Sequence, residues 1–180
     1  MNLRAILMGL AFVLMWSSAF TSARVIVAYA PPMASLALRF LISGGLGVLI
    51  ALWLGQNFRL TKAQWKATII FGVCQNALYL GLNFIAMQTV EAGLASIIAS
   101  SMPLIVAGLG WAFRGERIAP LGIVGLVAGF AGVALIMGSR LQGGADLMSV
   151  GLCVIGASAL AVATLSVRGA SAGGNLLMVV

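Results

Sequence analysis

Histidine is absent from this 180-residue sequence, acidic residues number three, and charged residues of both signs make up only 7% of it. The carboxylates are Glu91, Glu116 and Asp146. Without imidazole and with so few acids, the chain lacks the usual ligand sets of a metal centre. It also lacks the nucleophile–base pairs and paired carboxylates of hydrolytic chemistry. An intramembrane enzyme would have only Ser, Tyr, Lys and Arg to work with, so no enzymatic activity, no cofactor and no metal are expected. The two cysteines, Cys74 and Cys153, both fall inside long apolar runs, which argues against a disulfide framework.

A soluble domain carries about a quarter charged residues. Here 62% of residues are hydrophobic and the mean hydropathy is +1.16. The charges act as punctuation, leaving uncharged stretches at 5–23, 67–90, 92–113, 118–139 and 147–167. Each is near the ~20 residues that a helix needs to cross a ~30 Å hydrocarbon core. The runs are continuously apolar rather than alternating, so transmembrane strands are excluded. The fold class is therefore an all-α integral membrane bundle, with the lipid bilayer as its main partner.

The net charge of +7 and pI near 10.8 do not indicate nucleic-acid binding, because the basic residues sit singly or in small groups at segment ends. They fit membrane orientation instead. With a cytoplasmic N-terminus, Arg4, Arg59, Lys62, Lys66, Arg114, Arg117 and Arg168 fall on cytoplasmic ends or loops. Arg24 and Arg140 fall outside, and Arg39 lies within a helix. The first apolar run has the length of a full span and is followed by others, so it reads as a retained helix rather than a cleaved signal peptide.

Six helices and the start of a seventh follow from this punctuation. Helix boundaries are expected near Leu3–Ala23, Met33–Leu54, Trp65–Met87, Ala92–Phe113, Ile118–Gly138 and Leu147–Val167. Pro31-Pro32 marks the first turn, and the Gly-rich stretch Ser139–Asp146 separates the fifth and sixth helices. Leu176–Val180 opens an apolar segment too short to cross a bilayer, so the chain is expected to be part of a longer one. Ala19–Arg24 and Ala163–Arg168 echo each other, both placing small and hydroxyl residues before an Arg. A repeat after five helices would enter the membrane from the opposite side, giving inverted topology.

Polar residues within the spans are the candidates for function. Winding at 100° per residue places Gln75, Asn76, Tyr79 and Asn83 in one sector of about 100°. Such a stripe must face protein or water, as the wall of a solute cavity or as interhelical hydrogen bonding. Ser96, Ser100 and Pro103 share a face of the fourth helix. Pro103 should kink that helix, which suits a binding or hinge element as well as packing through small residues. Gly122, Gly125, Gly129 and Gly132 form a stripe that would let a neighbouring helix approach closely. Arg39 lies about two turns from a helix end, where snorkelling and a functional pairing are both open.

The ordered set Met15-Trp16-Ser17-Ser18-Ala19-Phe20, Arg24, Pro31 and Arg39 resembles the first two helices of EamA-domain proteins of the drug/metabolite transporter (DMT) superfamily. The likeness continues through Asn83-Phe84-Ile85-Ala86-Met87, Glu91-Ala92-Gly93-Leu94-Ala95-Ser96, Pro103, Gly115-Glu116-Arg117 and the glycines of the fifth helix, over about 130 residues. Ser17 stands where the family usually has Gly, and Arg24 replaces a common Lys. The resemblance implies ten helices in two inverted five-helix EamA repeats, of which this chain would hold the first (3–138), an extracytoplasmic linker (139–146) and the start of the second (147–180). It further implies a multi-pass secondary active transporter of the plasma or inner membrane. Such a protein exports small metabolites, such as amino acids or drug-like compounds, by alternating access. The pocket residues it implies are Trp16, Phe20, Asn76, Tyr79, Asn83 and Ser100, with Pro103 as a hinge. The alternatives are a half-length subunit that works only after self-association as a dimer, and a non-transporting structural membrane protein.

Overall fold

A computed structural model describes residues 3–56, 59–142, 144 and 146–167. The expected seventh-helix start and Arg168 lie outside the described residues. Among the described residues there is helix and no strand. Six helices are long and apolar enough to cross a membrane: α1 (Leu3–Tyr29), α2 (Pro32–Trp53), α3 (Lys62–Ala86), α4 (Ala92–Arg114), α5 (Pro120–Gln142) and α6 (Leu147–Val167).

The boundaries differ from the sequence expectation where polar groups find partners inside the helix. Helix α1 continues past Ala23 because the Arg24 guanidinium is satisfied by donating to the Met87 carbonyl at the end of α3. Helix α3 begins three residues early, set by a capping box. The Thr61 Oγ1 accepts from the Gln64 backbone N–H at 3.2 Å, and the Gln64 Oε1 accepts from the Thr61 N–H at 2.8 Å. Helix α5 runs into the first part of the stretch expected to be linker, as far as Gln142. There Ser139 bonds back to the Ile136 carbonyl and Arg140 lies 3.4 Å from Glu91. Helix α4 is interrupted at Ser101, whose buried hydroxyl donates to the Ile98 carbonyl at 2.6 Å. Pro103 then sits in the first turn of the second segment, where its missing N–H leaves no intrahelical bond unmade.

The core joins Phe20, Ala23 and Val27 of α1, Leu36 of α2, Tyr79, Phe84 and Met87 around the end of α3, Ile98 and Ala99 of α4, and Cys153, Ala157 and Leu160 of α6. Helix α6 is the most buried span, packed against α3 and α4. Its buried face is mostly small: Cys153, Gly156, Ala157, Ala161 and Ala163 let it approach closely. Two hydrogen bonds hold its ends. The Thr89 hydroxyl donates to the Ser149 hydroxyl at 2.8 Å, and Arg114 donates to the Leu165 carbonyl at 3.0 Å.

Helix α5 is the opposite case, with no buried residue among those described over Pro120–Arg140. Of its glycine stripe, Gly129 lies against Leu104 of α4 and Gly122 against Ile118 just before α5, while a Cβ at Gly125 or Gly132 would meet nothing within 4 Å. The expected seam along all four glycines is therefore not formed among the described residues.

Candidate functional site

Helix α3 does not wind uniformly. Between Gly72 and Leu80 its backbone forms a π-helix before returning to α-helical winding at Gly81. The π-helix is rare, and where it interrupts an α-helix it is frequently at a functional site. The wider turn changes which side chains share a face, and the 100° rule behind the expected stripe fails over these nine residues.

A cavity of about 150 Å³ opens beside this segment. Helix α1 contributes Trp16, Ala19, Phe20 and Ala23, and α2 contributes Arg39. Helix α3 and its end contribute Gln75, Tyr79, Leu80, Asn83, Phe84 and Met87. Four of the six expected pocket residues thus meet here: Trp16, Phe20, Tyr79 and Asn83. Asn76 does not line this cavity.

Ser100 is also elsewhere. It lines a separate groove of about 430 Å³ between α1 and α4, with Phe12, Ser17, Ser96 and Pro103. Its hydroxyl bonds back to the Ile97 carbonyl at 2.7 Å. Trp16 lines both spaces, and its ring packs against Phe12 with centroids 5.4 Å apart.

The polar equipment of the cavity is sparse. Asn83 is 2% exposed, and its Nδ2 donates to the Tyr79 carbonyl at 2.8 Å. Its Oδ1 is buried without a hydrogen-bond partner among the described residues. That unmet acceptor is costly in a membrane interior, where no bulk water can substitute. Gly156 of α6 packs directly on this amide, since a Cβ there would sit 2.8 Å from Asn83 Nδ2. Arg39, an exposed side chain at the cavity wall, makes no hydrogen bond or ion pair with a described residue. The sequence signal for it was simply a charge inside an apolar run. Gln75 belonged to the expected stripe and does line the cavity.

The EamA-like transporter family model matches residues 3–138. This chain belongs to that family. The chain is 30% identical over 156 residues to an uncharacterized transporter of Bacillus subtilis, YvbV, covering 87% of this chain and 51% of that protein. It is 30% identical over 155 residues to an uncharacterized transporter of Archaeoglobus fulgidus, covering 83% and 52%. It is 27% identical over 144 residues to the aromatic amino acid exporter YddG of Ancylobacter novellus, covering 77% and 48%. The chain thus spans about half the length of these relatives. No solved structure matches it. Family membership and six apolar spans make it a multi-pass membrane protein of the DMT superfamily, in a family of transporters rather than enzymes.

Proposed function

We propose that this chain forms the solute-binding half of a secondary active transporter that exports small metabolites of amino-acid type by alternating access. Its two domains would be a first five-helix repeat over 3–138 and the opening of an inverted second repeat from 147, joined through 139–146. Its N-terminus would face the cytoplasm of a cell whose plasma or inner membrane it spans.

The observation that carries this reading is the cavity at the π segment of α3. Ligand sites are mostly apolar walls with a few placed polar groups. Here the rings of Trp16, Phe20 and Tyr79 supply apolar wall, while Asn83 and Gln75 supply hydrogen-bonding groups. The volume of about 150 Å³ is less than the ~300–1,000 Å³ of typical ligand pockets. That is consistent with one wall of a site that a second repeat completes. The name of the Ancylobacter relative, an aromatic amino acid exporter, supports both the direction of transport and the solute class. Ser100 and Asn76 enter the proposal as groups that reach the solute in another conformation, with the break at Ser101-Met102-Pro103 as the hinge.

The test is solute flux in proteoliposomes containing the full-length protein. Asn83→Ala and Tyr79→Ala are each expected to lower flux while membrane insertion and yield stay normal. Unchanged flux in both would remove those residues from the pocket.

A further inference from the structure

We propose that the cavity selects solutes bearing a carboxylate. Arg39 is the selecting residue, and Asn83 Oδ1 accepts a hydrogen bond from an N–H of the same solute. The inference deepens the transporter reading and rests on it.

Among the described residues that line the cavity, Arg39 alone carries a charge. Its guanidinium is permanently protonated and is carried about two turns into the apolar helix α2. None of the three acids of the chain lines the cavity with it. Glu91 lies 3.4 Å from Arg140, Glu116 lies 3.8 Å from Arg114, and Asp146 accepts from the Ser149 N–H at the start of α6. An ionised side chain inside a span without a partner is expensive and marks a solute path by default. A cationic solute would add a like charge, whereas a carboxylate offers two oxygens that match the guanidinium fork.

The second point of contact is Asn83, which lines the same cavity and whose Oδ1 is buried with no hydrogen-bond partner among the described residues. An amide oxygen accepts but cannot donate, so its complement is an N–H or ammonium. A cation and an acceptor on one small cavity, flanked by aromatic rings, describe a zwitterionic amino acid with an apolar side chain.

An anionic lipid phosphate would also satisfy Arg39, because that side chain is exposed, so the test must separate the two sources. The full-length protein is placed in phosphatidylcholine nanodiscs. Binding of phenylalanine, of phenethylamine (no carboxylate) and of phenylpropionate (no ammonium) is then measured by calorimetry. Phenylalanine is expected to bind best, with phenethylamine weaker by about ten- to a hundredfold, the worth of one charge-assisted hydrogen-bond pair. Phenylpropionate should lose about tenfold or less, the worth of a bond to a neutral acceptor. Arg39→Gln should erase the preference for phenylalanine over phenethylamine, and Arg39→Lys should restore part of it.

Equal binding of phenylalanine and phenethylamine by the unaltered protein would overturn the proposal without any variant. So would a uniform loss for all three ligands in Arg39→Gln, which assigns the residue to structure. Loss of the preference on adding phosphatidylglycerol would also overturn it, assigning Arg39 to lipid. If none of the three binds while flux of another solute persists, the carboxylate selection fails and the transporter reading stands. Absence of both binding and flux would sink the two together.

Discussion

Replacing Gly156 by Ala probes the contact on which the cavity wall depends. A Cβ at this position would lie 2.8 Å from Asn83 Nδ2, 3.3 Å from the Tyr79 carbonyl oxygen and 3.5 Å from Tyr79 Cα. Two of those three atoms are backbone, so the methyl cannot be accommodated by rotating one flexible side chain. Either α6 moves away from α3 or the Asn83 amide turns and gives up its 2.8 Å bond to Tyr79. Overpacking of this kind costs about 1–3 kcal/mol, and the lost hydrogen bond about 1 kcal/mol more. Against this, Ala is favoured over Gly in a helix by about 1 kcal/mol. The net expectation is destabilisation by about 1–3 kcal/mol. Gly151→Ala on the same helix is the control, since a Cβ there meets nothing within 4 Å, and it should stabilise by about 0.5–1 kcal/mol. Cys153 is fully buried one turn away and free. Unfolding in detergent can therefore be followed with a thiol-reactive fluorophore that reports its exposure. Equal stability of the two variants would refute the close α3–α6 contact.

Two further outcomes follow from the ends of α6. Thr89→Val and Ser149→Ala should each destabilise modestly, and their double-mutant coupling should be about 0.6 kcal/mol, the average for an interhelical hydrogen bond in a membrane; zero coupling would deny the 2.8 Å bond. At the same end, the Asp146 carboxyl is held below its ordinary value of 3.8, mainly by the Ser149 hydroxyl and then by the Ser149 backbone N–H. A lowered folded-state value means that its contribution is intact above pH 3.8 and is lost as pH falls through the lowered value. Tryptophan-fluorescence melts should show that acid limb, and Asp146→Asn should flatten it.

What could be read from the sequence depended on which rule each segment obeyed. The start of α6 agrees with the sequence expectation because Asp146 precedes the apolar run. The early start of α3 was also legible, since Thr61 and Gln64 have the spacing of a capping box, but the charges of Arg59 and Lys62 suggested loop instead. The longer α1 and α5 were hidden by Arg24 and Arg140, which read as terminators until the structure shows the partners that hold them inside helices. The π winding of α3 left no such mark. Residues 72–80 carry no signature of π winding, and a periodicity argument built on 3.6 residues per turn groups Asn76 with Gln75, Tyr79 and Asn83, of which only the last three line the cavity. Arg39 was ambiguous for a different reason: a charge near a helix end satisfies snorkelling and pairing equally well in one dimension.

The contrast between α5 and α6 carries a broader point about the site. Both helices are long and apolar, and hydropathy cannot tell them apart. Yet α5 is buried nowhere in its span, while α6 is the most buried helix of the six. Apolar area does not drive helices together in lipid, so the difference must come from close packing and hydrogen bonds. Helix α6 has both: a face of Cys, Gly and Ala, and polar ties to Thr89 and Arg114 at its two ends. The glycines of α5 are spaced for packing, but at Gly125 and Gly132 no described residue comes close enough to use them. Helix α6 contributes no side chain to the cavity, but Gly156 presses on the one amide there with an unmet acceptor. The position of Asn83 is thus fixed by a helix that contributes no described residue to the cavity lining. Any motion of α6 against α3 would move that acceptor directly.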